Sequence, residues 1–311
     1  MRSIIQPYPI ICILGISLCL MFIVSANAAM VIPNSDMAKD RSVAPSKSPV
    51  ISDNWELEKV DFIHYAKSSG IAPKGATPKC YNLLGYKWKS LPVKYTINPT
   101  NPYGLTESFV AQAISNGVDE WDRYTTQNLF YDTQYIDYGA TWGILDTKNA
   151  LVFGNYPDDR VIAVTRVWFT KGKSIVEFDV MFNTMFRWGD ATNPPTNTYC
   201  AEWQTQCTSW YYDCTRWDNI TYENGTVVNE CVEWQEVCGS WQDVCIRQVT
   251  EQIPVMDLQN IATHELGHGV GLNDIYDSQC SGVTMYGYSN YMEVNKRTLE
   301  KPDITGLQQI Y

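Results

Sequence analysis

Two histidines stand four residues apart in the run His264-Glu265-Leu266-Gly267-His268-Gly269-Val270-Gly271-Leu272-Asn273-Asp274. On a helix, residues four apart lie about one turn along the same face, so both imidazoles point one way. Such a pair can hold one Zn²⁺ through two ring nitrogens at about 2.0–2.1 Å. Glu265, beside the first histidine, faces the same cleft and can accept a proton from a water activated by the ion. Gly271 follows the second histidine by three residues, and Asp274 follows the glycine by three more. A glycine at that point suits a left-handed helix end that folds the chain back. The turn would bring a third ligand from outside the helix and leave a fourth position for water. An ordinary helix carrying histidines by chance is the plainer alternative. Composition argues against it, because the chain holds only three histidines and two are this pair.

The run resembles the metzincin zinc-endopeptidase signature, HExxHxxGxxH followed by a methionine-containing turn. Val283-Thr284-Met285-Tyr286 resembles that turn, and Arg297 to Leu307 resembles the closing helix of matrixin-like members. Asp274 stands where most of the family has histidine; a minority resemble this chain in using aspartate. The resemblance implies a zinc endopeptidase with one catalytic Zn²⁺ held by His264, His268 and Asp274. It makes Glu265 the general base and Met285 an apolar floor under the ligands. Asp277 is the nearest competitor for the third ligand. Tyr288 could stabilise an oxyanion or approach the ion, against the plainer reading of a core tyrosine.

The implied fold is α+β: a zincin/metzincin-like twisted mixed sheet with two main helices. Val93 to Ile97 and Leu129 to Tyr138 read as strands, with a helix of about five turns after Thr106 between them. Ala150–Asn155, Val161–Phe169 and Ile175–Asn183 look like the family's third, fourth and fifth strands. The likeness covers roughly 80–190 and 250–311, specific at the zinc motif and loose elsewhere. It makes Val161–Phe169 a sheet edge above the cleft, where Ala163, Val164 and Thr165 would pair with a peptide substrate as an added strand. An ordinary edge strand is the alternative. Family members often carry a second, structural zinc between the third and fourth strands. Here that connection is only Tyr156 to Arg160 and has no histidine, so no second zinc is expected. Ca²⁺ at Asp158 or Asp159 has no support beyond the two carboxylates.

The elements that must position these residues occupy a chain of 311 residues, long enough for an export segment and one sizeable domain. Residues 1–29 read as a signal peptide. Arg2 supplies the positive start, Ile10 to Val24 is apolar, and Ala26-Asn27-Ala28 is a small-x-small cleavage site. Retention as an N-terminal anchor on the outer membrane face is the alternative; no later stretch could span a bilayer. Residues 30–79 read as a linker or short pro-segment, with an amphipathic stretch from Trp55 to Ala66. His64, within it, reads as a surface or linker histidine. The zinc protease domain is then 80–311, interrupted by an insertion at 198–249.

That insertion holds six cysteines and five of the eleven tryptophans. Cys200 to Trp210 has a near copy in Cys231 to Trp241, and each copy is followed by one more cysteine, Cys214 and Cys245. Two copies suit antiparallel arms around Asn224-Gly225, a hairpin signal. Nested pairing would join Cys200–Cys245, Cys207–Cys238 and Cys214–Cys231, although six cysteines allow fifteen connectivities. A helical hairpin also stays open, because the seven-residue spacing aligns cysteines on a helix. If the insertion closes on itself, Cys80 and Cys280 are left to pair. The alternative is a Cys80 thiolate occupying zinc as a latency switch, as in matrixin propeptides.

A net charge of −11 without a basic stripe argues against nucleic acid and leaves a peptide or protein as substrate. An even cysteine count after the signal fits an oxidising compartment outside the cell. A non-catalytic adhesion or binding module on the same fold is the rival reading, and a narrow processing enzyme is another. Substrate preference, activation route and oligomeric state leave no mark on the sequence.

Overall fold

The computed structural model describes residues 57–67 and 78–311. The signal expectation and most of the 30–79 linker lie outside the described residues. In chain order the elements are β1 (Leu57–Ala66), β2 (Lys87–Trp88), β3 (Thr96–Asn98), α1 (Glu107–Asp122), β4 (Tyr135–Ile136) and β5 (Ala150–Gly154). There follow β6 (Val161–Thr170), β7 (Ser174–Asn183), β8 (Trp188–Gly189), β9 (Thr196–Thr221) and β10 (Val227–Gln252). The chain closes with β11 (Met256–Asp257), α2 (Leu258–Gly269), β12 (Tyr288–Ser289) and α3 (Lys301–Gln308).

The architecture is α+β. The main sheet runs β12-β1-β6-β7-β5-β3-β4, with β2 also paired to β7. β6 is antiparallel to both its neighbours, while β7, β5, β3 and β4 run parallel. Thr106 caps α1 by accepting from the Phe109 amide at 3.2 Å, and Glu107 suits the positive end of the helix. Val110, Ile114, Val118 and Trp121 recur at helical spacing and are fully buried against α2 and the sheet. Trp121 Nε1 donates to the Thr263 carbonyl at 2.7 Å and so locks α1 onto α2.

Two expectations change here. The strand read at Leu129–Tyr138 shrinks to Tyr135–Ile136. Asp122 reaches from the end of α1 to accept from the Leu129 amide at 2.5 Å, and Leu129–Tyr131 meets its neighbour only in a single parallel bridge, Val93↔Phe130, before the chain turns away. The second change is larger. Residues 57–66 are not a connector but a strand inside the main sheet, antiparallel to β6 and parallel to β12. The pairing with β6 runs from Leu57↔Thr170 to Tyr65↔Val161, so β6 is not an edge.

The insertion is a two-stranded antiparallel ribbon of two 26-residue strands. It turns at Tyr222–Thr226, where Gly225 has φ +78°. Disulfides join Cys200–Cys245, Cys207–Cys238 and Cys214–Cys231 along it. Residues seven apart on a plain strand point to opposite faces. Here each repeat leaves one residue out of the ladder on each strand: Ala201, Thr208 and Thr215 on β9, and Val232, Gly239 and Ile246 on β10. These bulges cut the paired period to six, an even number. Cross-strand partners share a face, and Cys245 lies opposite Trp203, Cys238 opposite Trp210 and Cys231 opposite Trp217. Trp234 and Trp241 lie opposite Cys214 and Cys207. All five tryptophans of the ribbon therefore stand on the disulfide face, and all are exposed.

A candidate metal and catalytic centre

α2 carries the centre. Asp257 caps its start, accepting from the Asn260 amide at 2.9 Å. The helix ends at Gly269, and Gly271 takes φ +103°, a conformation that favours glycine. A Cβ there would also strike the Tyr86 carbonyl oxygen. The turn brings Leu272 and Asp274 back over the last turn of the helix. His268 Nδ1 lies 3.0 Å from the Leu272 carbonyl, and His264 Nδ1 lies 2.7 Å from that of Thr284. Each carbonyl can only accept, so in its neutral form each ring carries its proton on Nδ1 and presents Nε2 as a lone pair.

Those two Nε2 atoms lie 3.2 Å apart. Asp274 Oδ1 sits 3.2 Å from one and 3.4 Å from the other, and makes no hydrogen bond of its own. Asp274 Oδ2 accepts from the Tyr276 hydroxyl at 3.1 Å. Three donors separated in this way form one face of a tetrahedron. Bonds of about 2.0–2.1 Å to a central ion give edges of about 3.3–3.4 Å, so the set fits zinc. Burial opposes ionisation of Asp274, yet His268 and His264 hold its carboxyl far below the usual range. Burial pushes His264 down to about 4, which keeps that imidazole neutral.

Glu265 lies beside this face and is fully buried. Its Oε2 accepts from Thr165 Oγ1 at 2.5 Å, and its Oε1 lies 3.2 Å from His64 Nδ1. Burial lifts its carboxyl to about 7. The floor is Met285, set so close to α2 that a Cβ on Gly267 would meet its sulfur. Asp303, on α3, accepts from the Thr284 and Met285 amides at 2.9 and 3.2 Å. α3 thereby fixes the turn whose carbonyl orients His264.

Among the sequence candidates, His264, His268 and Asp274 come together with Glu265 beside them. Asp277 does not join; its carboxylate accepts from the Gln279 amide and caps the short turn at Ser278–Cys280. Tyr288 lies on β12 with its ring against Tyr276 and Tyr286. Asp158 is paired with Arg160 at 2.7 Å. Cys80 is bonded to Cys280, which leaves no Cys80 thiolate for an ion.

Two expectations need correction. Ala163, Val164 and Thr165 do not offer a free edge, since they pair with His64, Ile63 and Phe62 of β1. His64 is not a surface or linker residue but is 1% exposed, at the heart of the centre. Its Nε2 lies 3.0 Å from Ser289 Oγ, and its ring stands edge-on to His264 at 4.0 Å. Phe62, two residues earlier, stacks on the His268 ring at 4.1 Å. Sequence reasoning missed this strand and the role of Thr165. The available signal was the alternation Val60, Phe62, His64, Ala66, an apolar face carrying the one remaining histidine of the chain.

Comparison with known families matches residues 168–311 to matrixin. Among curated proteins no match is found.

Proposed function

The chain is a matrixin-like metzincin, and from that premise we propose that it is an exported zinc endopeptidase. The observation that carries the reading is the triangle of His264 Nε2, His268 Nε2 and Asp274 Oδ1 with the Glu265 carboxylate alongside. His264, His268 and Asp274 would hold the ion, and Met285 would close the space beneath them. When bound, zinc would polarise the scissile carbonyl and acidify a water. Glu265 would accept the proton of the attacking water and return it to the leaving amine. Thr165 orients the Glu265 carboxylate from β6.

Export is supported by the signal-like residues 1–29 and by four disulfides, which persist in oxidising compartments. No helix of the described residues is long and apolar enough to cross a membrane.

The test combines metal content with hydrolysis of an unfolded protein such as casein, before and after limited proteolysis. One zinc per chain and chelator-sensitive cleavage are expected. Glu265→Ala should keep the zinc and lose about a hundredfold or more in turnover, because it removes a base and not a ligand. A Glu265→Ala protein that cleaves at the wild-type rate ends this mechanism.

A further inference from the structure

The cleft already contains a peptide. β1 lies between β6 and β12 and hydrogen-bonds to both, so two strand edges that could grip a substrate are taken by residues of the chain itself. Its even-numbered side chains face α2: Val60 and Ala66 pack on the main core, and Phe62 and His64 are buried beside the metal-ligating rings. Asp61 fixes the register through two bonds to Arg166, at 2.6 and 2.7 Å. His64 then joins Glu265 on α2 to Ser289 on β12. With His64 on one oxygen and Thr165 on the other, both oxygens of the Glu265 carboxylate are engaged and the residue has no exposed surface. A base so enclosed cannot meet a water and a scissile bond together. If the chain is a peptidase, the strand must leave before it works.

On that reading we propose that residues 57–66 are a resident pseudosubstrate: they fill the peptide slot between β6 and β12 and plug the Glu265 carboxylate with His64. The chain with β1 in place is latent. The slot's working ligand is an extended peptide that pairs with β6 and β12 as β1 does. It carries a bulky apolar side chain where Phe62 stacks on His268. Histidine, not cysteine, is the blocking side chain, since Cys80 is committed to Cys280. Residues 68–77, Ser-Ser-Gly-Ile-Ala-Pro-Lys-Gly-Ala-Thr, connect the strand to the domain and are where a cut would free it. A tethered strand faces its slot at an effective concentration of the order of millimolar, so free peptide competes poorly until the tether is broken.

The experiment places a recognition sequence for a site-specific protease between Lys67 and Pro78 in the full chain. Cutting, followed by gel filtration, should release the N-terminal fragment and raise hydrolysis of a quenched fluorescent peptide by at least about tenfold. In the uncut chain, His64→Ala should also raise the rate. A labelled synthetic peptide of residues 57–67 should bind the cut Glu265→Ala protein in a fluorescence anisotropy titration. Its Phe62→Ala and His64→Ala versions should bind at least about tenfold more weakly.

The proposal is overturned if the uncut chain is as active as the cut one. It is overturned equally if His64→Ala lowers activity in the uncut chain, which would make His64 a partner of Glu265 in catalysis. Loss of folded protein on release of the fragment, read by near-ultraviolet circular dichroism, would show that β1 is a permanent strand and overturn it too. A cut, folded, zinc-loaded protein that binds the labelled peptide yet hydrolyses nothing would sink the peptidase reading. The pseudosubstrate's place in the slot would stand.

Discussion

As the proposed third ligand, Asp274 would set the charge of the centre. Two neutral imidazoles and one carboxylate would leave a bound Zn²⁺ with less positive charge than three imidazoles, and so with a weaker pull on the proton of its water. Geometry favours Asp274 over Asp277 for that place: one lies 3.2 Å from His264 Nε2, and the other caps a turn. Asp274→Ala should therefore weaken zinc binding by more than the roughly 10–100-fold that losing an outer partner costs. Asp277→Ala should leave it unchanged. Titration against a chromogenic chelator reads both, and equal affinities in wild type and Asp274→Ala would remove Asp274 from the ligand set. At this scale the sequence was legible wherever chemistry is local. His264, Glu265, His268 and Asp274 fall within eleven residues, and helix and turn geometry alone brings them together. Thr165 and His64 reach Glu265 across 100 and 201 residues, and no local pattern announces such a contact.

β7 joins the sheet to the loop before β5 through two buried acids. Asp179 accepts from the Gly143 and Ala150 amides at 2.7 and 2.9 Å, and Glu177 accepts from the Asp146 amide at 3.1 Å. Burial outweighs these bonds and raises Asp179 to about 6 and Glu177 to about 7, from 3.8 and 4.5. Between those limits the folded chain keeps protons that the unfolded chain has released. Stability from this source is complete below about pH 4 and is lost as the pH rises through 6 to 7. The melting temperature should thus rise on acidification from pH 8 to pH 5.5, and the rise should be smaller in Asp179→Asn. An unchanged slope in that variant would separate Asp179 from the effect. Strands β5, β6 and β7 were readable within a residue or two, because β-branched and aromatic runs bounded by turns mark buried strands. The stretch at 129–138 was misread for a reason of the same kind. Leu129 and Phe130 are apolar because both are buried in the core, Phe130 against Tyr95 and Phe178, while their pairing is limited to one bridge with Val93. β1 was the hardest case. A single strand between polar stretches shows its alternation but not its partners, and β6 lies about a hundred residues away.

At the scale of the molecule the ribbon stands apart from the domain that carries the centre. Thr196 pairs with Gln252 at its base, and Ile253 donates to the Pro195 carbonyl at 2.8 Å, so the domain closes behind it. Replacing 196–252 by a short Gly/Ser loop should preserve folding and zinc content, since a short closure costs little entropy. Insoluble protein or lost zinc after that deletion would mean that the domain depends on the ribbon. The equal spacing of the cysteine repeat made a nested hairpin possible and left helical and stranded arms both open. The ribbon's one-sided face was not legible, because the bulges that convert seven into six appear only in the register. That face sets the indoles of the ribbon apart optically from those buried in the domain. Trp203, Trp210, Trp217, Trp234 and Trp241 are each about 60% exposed, whereas Trp121 and Trp188 are buried in the domain. Emission from the ribbon should be red-shifted and open to collisional quenching, and that from the domain should be blue-shifted and protected. The ribbon carries acids along both strands against Arg216 and Arg247 as its only cationic residues, so caesium ions should quench its emission better than iodide does.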